Sequence, residues 1–301
     1  MNAAGPWVDP VTAMYDRSNH AAKLRLVKGS HIVVKRKYEG DHSYIFQNKD
    51  GRIIFAIPYE GDHTLIGTTD EPWSYAEGPA KINDGEIDYL CDAASEYFEA
   101  PVTRDDIMWT YSGVRPLFDD HSRTAATVTR DFVFDYDNEN GAPVLSIFGG
   151  KITTYRVLAL QAIRTLSEAL DVNGDDWTKE AHLPGGDFPP EGFEALVDQY
   201  AGRWPFIDRL IVHRLVRAYG TDTVSILADV KTPADMGQEF AAGLYEIEIR
   251  WLIDHEFACT AEDILWRRSK LGLHMSAAEQ EAVALWCDQQ KQPAKPNLDL
   301  S

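Results

Sequence analysis

The first half of the chain has the residue patterns that are typical of β-strands, either β-branched and aromatic residues interspersed with polar ones or short apolar runs. The segments with these patterns are 25–34, 44–47, 52–59, 63–70, 107–117, 127–137 and 143–148. Asn48 to Gly51, between the second and third segments, is a turn sequence typical of a β-hairpin. The pattern therefore predicts a sheet whose strands run largely antiparallel.

Two helices are predicted within this half. Asp84 is a candidate helix N-cap, and hydrophobic residues then recur at helical spacing until Pro101. The second helix follows Gly149-Gly150, where hydrophobic residues from Tyr155 to Ala169 again have the helical period.

The remainder of the chain has a helical pattern, after a Gly- and Pro-rich stretch at 171–190 that indicates a linker. The helical segments are 191–203, 207–220, 236–257, 261–268 and 276–290. The sequence thus predicts an α+β fold, in which a mixed, largely antiparallel sheet with flanking helices precedes a small all-helical domain. The predicted divisions are 1–22, 23–170 (sheet domain), 171–190 (linker), 191–290 (helical domain) and 291–301 (a tail whose composition indicates disorder).

Composition narrows the class of protein. The 301 residues carry a formal net charge of −19, which argues against a nucleic-acid partner. Cys91, Cys259 and Cys287 are too far apart in sequence for a disulfide framework or a thiolate metal site. We therefore predict a chain of the reducing cytoplasm with no bound metal.

One segment of this acidic chain has a positive net charge. Residues 23–37 contain six basic residues and no acidic one. Lysines of this kind commonly guard solvated strand edges. Alternatively, they form a positively charged wall that faces an anionic substrate.

The stretch Ser146 to Arg156, SIFGGKITTYR, joins a strand to a helix through two glycines. Such a turn lets the backbone approach a ligand, and the helix start favours an anion or an electron-rich atom. Lys151 adds a positive charge there, and Thr153 adds a hydroxyl donor. The spacing fits neither the Walker loop nor G-x-G-x-x-G, and an ordinary strand-to-helix turn stays the alternative.

Arg115 and His31 are the other candidates for chemistry. Arg115 precedes Pro116 at the end of a strand, where a guanidinium suits bidentate binding of phosphate or carboxylate. A structural ion pair with Asp119 or Asp120 is the alternative. His31 lies in an apolar strand and is either a core histidine or a group that exchanges protons near neutral pH.

Taken together, several motifs resemble those of the FAD-dependent, respiratory glycerol-3-phosphate dehydrogenases, within the D-amino-acid-oxidase-like flavoproteins. The motifs are NAAGPWVD, KGSHIVV, IIFAIPYEGDHTLIGTTDEP, WTYSGVRPL, SIFGGKITTYR, LPGG and DILWRRSKLGL, which follow in order to about Leu273. The resemblance implies FAD as cofactor and oxidation of sn-glycerol 3-phosphate to dihydroxyacetone phosphate. It implies that electrons pass to a membrane quinone, from a cytoplasmic enzyme that can be peripheral on the inner membrane.

The resemblance also assigns roles to residues. Arg115 would hold the substrate phosphate, Lys151 would lie beside flavin and substrate, and His31 would take the proton of the C2 hydroxyl. Thr68 and Asp70 would lie at the rim of the substrate pocket. The flavin contacts would come from Ala4, Gly5, Gly149, Gly150, Lys151 and Thr153.

The chain departs from the family pattern because it contains no G-x-G-x-x-G strand–turn–helix unit for the ADP half of FAD. Residues 1–22 resemble the last edge of that FAD-binding domain. We therefore expect the FAD site to be incomplete in this chain, residues 2–5 to pack poorly or to reach into an unfilled groove, and activity to need a missing N-terminal half as partner.

Two other readings stay open from the sequence. The chain could be a non-catalytic remnant or interaction module of the same fold. It could also belong to an enzyme of that fold that acts on another hydroxy or amino acid. A homodimer is a further expectation.

Overall fold

In a computed structural model of the protein, residues 1–15, 24–119, 131–138, 141–171 and 174–290 are described. The predicted tail 291–301 lies outside the described residues, as do Lys23, Asp120 and the start of the predicted strand 127–137. The chain divides into two compact units, residues 1–179 and 180–301.

The first unit contains a mixture of strands and helices. In chain order these are α1 (Val8–Tyr15), β1 (Leu24–Lys35), β2 (Tyr44–Gln47), β3 (Ile53–Tyr59), β4 (His63–Gly67), β5 (Glu71–Pro72), α2 (Asp84–Ser95), β6 (Ile107–Phe118), β7 (Phe132–Asp137), β8 (Val144–Gly149) and α3 (Tyr155–Leu170). Short 3₁₀ turns lie at Gly5–Trp7, Tyr75–Glu77, Arg104–Asp106 and Ile152–Thr154.

The long strand β1 is the centre of the larger sheet. It pairs with β6 on one edge, from Leu24 opposite Phe118 to Val34 opposite Ile107. On its other edge it pairs with β4 and then with β5, while β3 and β2 extend the sheet beyond β4. All these pairs are antiparallel, which confirms the predicted fold class. Because β1 is paired on both edges, the interpretation of its lysines as edge guards is wrong.

The two faces of this sheet have different surroundings. On one face, Ile32, Val34 and Ile66 pack with Leu90 and Ala94 of α2 in a buried core. Burying each such aliphatic side chain contributes roughly 1.5–3 kcal/mol. Side chains alternate between faces along a strand, so the residues between the core positions are left for the opposite face.

That opposite face carries the odd-numbered residues of β1 and, from Trp109 onward, those of β6, whereas Ile107 pairs with Val34 beyond a bulge and packs with the α2 core. In the β1–β6 register, His31 is opposite Tyr111, Gly29 is opposite Gly113, and Val27 is opposite Arg115. The candidate residues His31 and Arg115 therefore share one face, turned away from the α2 core.

A second, two-stranded sheet is formed by β7 and β8, and α3 packs on it through residues such as Ala162 and Leu166. Asn2 adds a parallel bridge to Ser146 of β8. Its side chain donates hydrogen bonds to the Val8 carbonyl at 2.9 Å and to Thr12 Oγ1 at 3.1 Å. The expectation that residues 2–5 pack poorly is therefore wrong for Asn2, which is only 5% exposed.

Two predicted helix details are also corrected. The N-cap of α2 is Asn83, whose side chain accepts a hydrogen bond from the Glu86 amide, and Asp84 is the first helical residue. Within 236–257, only Glu246–His255 is α-helical. Gly237, Ala242 and Gly243 have positive φ angles, which end a right-handed helix.

The second unit is helical. Its helices are α4 (Phe193–Arg203), α5 (Arg209–Tyr219), α6 (Thr223–Ile226), α7 (Glu246–His255) and α8 (Ala277–Gln290), with a π-helical turn at Asp263–Arg268. Val212, Ile249, Leu252 and Ile264 lie at the centre of its core. Within the described ranges of the chain, no helix combines the length and the apolar character that crossing a bilayer requires.

Candidate functional site

The ring of His31 is held flat between two neighbours on the open face of the sheet. On the β6 side it stacks on Tyr111, with ring centroids 4.8 Å apart and planes 8° from parallel. On the β4 side it lies over Gly67, where a Cβ atom would come within 2.2 Å of His31 Cδ2. Only glycine leaves room for the imidazole there.

The surroundings of His31 favour its neutral form. Burial, and then the positive charge of Arg115, lowers the pKa of His31 from 6.5 to about 4. Its Nδ1 atom is buried and has no hydrogen-bond partner among the described residues. At neutral pH the imidazole is therefore uncharged, and it has the capacity to accept a proton.

Arg115 lies on the same face and is gripped by the segment that links β4 to β5. Its guanidinium donates to Thr68 Oγ1 at 2.9 Å and forms an ion pair with Asp70. A Cβ atom on Gly29 would lie 2.4 Å from Arg115 Nη2, so this glycine makes room for the guanidinium. A guanidinium has five N–H donors, and these two contacts leave others for a ligand.

Among the described residues, the alternative partner Asp119 does not pair with Arg115. Asp119 instead pairs with Arg25, at 3.3 Å, and Asp120 lies outside the described residues. The structure thus brings His31, Arg115, Thr68 and Asp70 together.

Three residues of the basic segment point away from this site. Lys28 points to the opposite face, where it is buried and pairs with Glu86 at 3.0 Å. Arg36 donates to backbone carbonyls, and Lys37 pairs with Asp106 at 3.2 Å. These three side chains therefore do not contribute to a positively charged wall, whereas Arg25 lies on the face of Arg115 and Lys23 lies outside the described residues.

The turn after β8 has the backbone form that its two glycines predict. Gly149 and Gly150 have φ angles of 72° and 101°. A Cβ atom on Gly149 would lie 2.8 Å from the Asp131 carbonyl oxygen and 3.6 Å from that of Pro116. The turn therefore lies beside β6, next to the residue that follows Arg115.

The side chains that follow these glycines are accessible. Lys151 is half exposed and pairs with Asp131 at 3.5 Å. Thr153 is exposed in the Ile152–Thr154 turn that leads into α3. Among the contacts of the described residues, none joins Lys151 to His31 or Arg115.

The N-terminal candidates lie beside the same turn. Because Asn2 pairs in parallel with Ser146, the residues after it run in the direction of Gly149. The Gly5–Trp7 turn contacts β8, and Gly5 has a φ of 56° with open space where a Cβ atom would be. Ala4 and Gly5 thus offer backbone that a ligand can approach closely.

Sequence reasoning missed three members of the site: Gly29, Gly67 and Tyr111. Tyr111 has a signal that could have found it, because the period of two in β6 puts it on the face of Arg115. The glycines are recognisable only when the facing side chains are known.

Comparison with known proteins gives the class of this one. Residues 1–156 match the family model described as FAD dependent oxidoreductase. Residues 177–289 match that of the C-terminal domain of alpha-glycerophosphate oxidase. The chain therefore belongs to the family of FAD-dependent oxidoreductases.

Within that family, its relatives include dehydrogenases of phosphorylated polyols. The aerobic glycerol-3-phosphate dehydrogenase of Escherichia coli is 42% identical over 294 residues, which are 95% of this chain and 57% of that protein. The D-erythritol 1-phosphate dehydrogenase of Brucella abortus is 42% identical over 288 residues, which are 96% of this chain and 57% of that protein. The chain thus spans a little over half the length of these curated relatives.

A solved structure agrees with these matches. The glycerol-3-phosphate dehydrogenase from Bacillus halodurans, complexed with FAD, superposes with a TM-score of 0.74 at 26% identity, over 95% of this chain and 60% of that one. The resemblance to FAD-dependent glycerol-3-phosphate dehydrogenases is confirmed, and so is FAD as the cofactor of the family.

The residues described above fit part of an FAD site. Gly149 and Gly150 hold a left-handed backbone whose following amides begin the turn into α3, and Lys151 stands beside them. Amides and a cation at a helix start suit the electron-rich edge of a flavin ring.

Proposed function

We propose that this chain carries the substrate-binding part of an FAD-dependent dehydrogenase that oxidises sn-glycerol 3-phosphate to dihydroxyacetone phosphate. The observation that carries the proposal is the pairing of an accessible, held guanidinium with a neutral, oriented imidazole on one sheet face. Arg115 would bind the phosphate, and His31 would act at the alcohol.

The proton of the C2 hydroxyl would go to His31. A neutral imidazole with a pKa of about 4 is a weak base in the free protein. Phosphate bound to Arg115 would offset that positive charge, one of the two causes of the lowered pKa. Substrate binding would therefore raise the basicity of His31 at the time when it is needed.

FAD, when bound, supplies the acceptor for the two electrons and the hydrogen that leave C2. The backbone amides after Gly150, with Lys151 and Thr153, would hold the flavin edge, and Ala4 and Gly5 would let another part of the cofactor approach. Thr68 and Asp70 would orient Arg115 at the rim of the substrate pocket.

The names of the relatives support a small phosphorylated polyol as the substrate. They differ in the chain length of that polyol, which is glycerol in some and erythritol in another. Arg115 would bind a phosphate or a carboxylate, so the preference for a phosphate ester over a hydroxy acid or an amino acid rests on the similarity to these relatives. The similarity to several glycerol-3-phosphate dehydrogenases favours glycerol 3-phosphate over the longer erythritol phosphate.

Calorimetric titration of the chain with sn-glycerol 3-phosphate and with glycerol tests the proposal. We expect the phosphate ester to bind and glycerol not to bind. Arg115→Lys should weaken binding at least about tenfold, because the lysine lacks the planar fork. The matched control is Arg104→Lys, which changes an exposed arginine that is likewise paired with aspartates, Asp84 and Asp88.

Equal affinities of wild type and the Arg115 variant would contradict the phosphate role. Equal affinities for D-erythritol 1-phosphate and glycerol 3-phosphate would still support a phosphorylated polyol, but they would overturn the choice of glycerol 3-phosphate as the substrate. A parallel assay follows dye reduction by the chain with FAD, with and without the N-terminal FAD-binding half of a relative. We expect dye reduction only when this chain, FAD and the N-terminal FAD-binding half are all present.

The remaining parts of the proposal rest on family resemblance. Electrons would pass from the flavin to a membrane quinone, and the cytoplasmic enzyme would attach peripherally to the inner membrane. The enzyme would also form a homodimer. Sedimentation with quinone-containing vesicles and light scattering test these points.

A further inference from the structure

The carboxylate of Glu86 is the most heavily hydrogen-bonded group on the α2 side of the sheet. Glu86 is 3% exposed and caps α2, accepting a hydrogen bond from the Asn83 amide at 2.9 Å. It also accepts from Thr69 Oγ1 at 2.7 Å and Ser30 Oγ at 2.8 Å, and Lys28 Nζ lies 3.0 Å away. A helix cap needs only the first of these bonds.

The other bonds connect Glu86 to the segment that grips Arg115. Thr69 stands between Thr68 and Asp70, whose side chains contact the guanidinium on the open face. Its own side chain points to the α2 face, where Glu86 lies. Thr69 Oγ1 also accepts a hydrogen bond from the Ser30 amide at 2.9 Å, which ties the segment to β1.

The charge of Glu86 is part of this arrangement. Burial alone would raise the pKa of Glu86, but hydrogen bonds from Thr69, Asn83, Lys28 and Ser30 outweigh it and hold the pKa below its ordinary value. A buried ion pair rarely stabilises a fold more than well-packed apolar residues would. The pair is therefore better explained by what it orients than by stability.

We propose that Glu86, with Lys28 as its counter-ion, is a positioning residue for Arg115 and acts through Thr69. This inference rests on the proposed function for the phosphate role of Arg115. The carboxylate fixes the Thr69 hydroxyl from behind the sheet. Fixing Thr69 in turn sets where Thr68 and Asp70 present their acceptors to the guanidinium in front of it.

Thr69→Val removes the hydroxyl at nearly constant volume, and Thr69→Ser keeps it. Thr64→Val is the matched control, since Thr64 is a buried threonine of β4 whose hydroxyl accepts from the Lys37 amide and does not contact Glu86. The first readout is the order of the Arg115 guanidinium, from its side-chain ¹⁵N–¹H NMR signals, which are assigned by their loss in Arg115→Lys.

We expect hindered guanidinium rotation in wild type, Thr69→Ser and Thr64→Val, and fast rotation in Thr69→Val. Titration with inorganic phosphate is the second readout, with at least tenfold weaker binding expected only in Thr69→Val. Glu86→Gln serves if Thr69→Val fails to fold, and it should also free the guanidinium.

An equally ordered Arg115 in Thr69→Val overturns the inference, whatever the phosphate affinity. Arg115 that is freed equally by Thr64→Val also overturns it, because the effect would then be general loosening. If wild type binds no phosphate while Thr69→Val still frees Arg115, the positioning stands and the proposed phosphate role falls.

Discussion

Gly29→Ala is the sharpest test of the space that the site requires. Gly29 lies on β1 beneath the guanidinium of Arg115, where an added Cβ atom would meet Nη2 at 2.4 Å and Thr68 Oγ1 at 2.7 Å. Ordinary contacts begin at about 3.4 Å, so the guanidinium must retreat by about 1 Å. That shift breaks its 2.9 Å hydrogen bond to Thr68.

The expected effect falls on binding rather than on folding. Losing a hydrogen bond to a charged group costs about 1.5–3 kcal/mol, so we expect the phosphate ester to bind on the order of 10- to 100-fold more weakly. The displaced atoms are the end of the flexible, partly exposed Arg115 side chain and the Thr68 hydroxyl, and neither belongs to the buried core. Removing a strand glycine also stabilises by roughly 0.5–1 kcal/mol. The free energy of unfolding should therefore change by less than about 1 kcal/mol.

Gly113→Ala is the matched control, because Gly113 is the cross-strand partner of Gly29 and has no atom within 4 Å of an added Cβ. Calorimetric titration with sn-glycerol 3-phosphate and urea denaturation measure both quantities for each variant. If the two alanine variants bind the phosphate ester equally, the placement of Arg115 over Gly29 does not determine affinity and the reasoning is refuted.

Three further predictions concern stability. The pKa of His31 is lower in the folded protein (about 4) than its ordinary value (6.5), so between pH 6.5 and pH 4 the unfolded chain binds a proton more readily and the fold loses stability. Urea denaturation should show that His31→Gln removes about 2 kcal/mol of the loss of stability between pH 7 and pH 5. An unchanged pH dependence would show that His31 titrates normally. Lys28→Met leaves the Glu86 carboxylate buried without its counter-ion and should lower the free energy of unfolding by about 3–5 kcal/mol. Combining Lys28→Met with Glu86→Leu should recover most of that loss. Additive losses in this double-mutant cycle would contradict the ion pair between Lys28 and Glu86. Gly149→Ala combines a positive φ with a 2.8 Å clash against the Asp131 carbonyl oxygen, whereas Gly51→Ala has the positive φ alone. Thermal denaturation should find Gly149→Ala less stable than Gly51→Ala by roughly 1–3 kcal/mol. Equal losses of stability would indicate that the turn after β8 adapts to the added Cβ atom.

Much of the local structure of this protein follows from its sequence. The strand-like hydrophobic segments predict β1, β6 and β8 within one or two residues, because β-branched and aromatic residues fit a pleated, buried surface. The helical period likewise predicts α3, and the glycines before it predict the positive φ angles of that turn. The segment 236–257 is the exception, since its hydrophobic spacing conceals the left-handed residues that delay α7.

The candidate chemistry was also visible, but its arrangement was not. His31 and Arg115 stand out as residue types, and resemblance to a family assigns them roles. Their proximity depends on the pairing of β1 with β6, strands that are far apart in the chain. Propensity and periodicity describe single segments and contain no information on which strands pair, so this contact could not be derived from them.

Lys28 shows most clearly which features follow from the sequence and which depend on the tertiary structure. The sequence by itself predicted a strand at 25–34 within a basic segment, because the stiffness of β-branched side chains and their alternation along a strand are local properties. The tertiary structure decided that Lys28 faces α2 and Glu86 while Gly29 and His31 face the open side. Which face of a strand becomes the core depends on the helix that packs there, and that is a property of the whole fold.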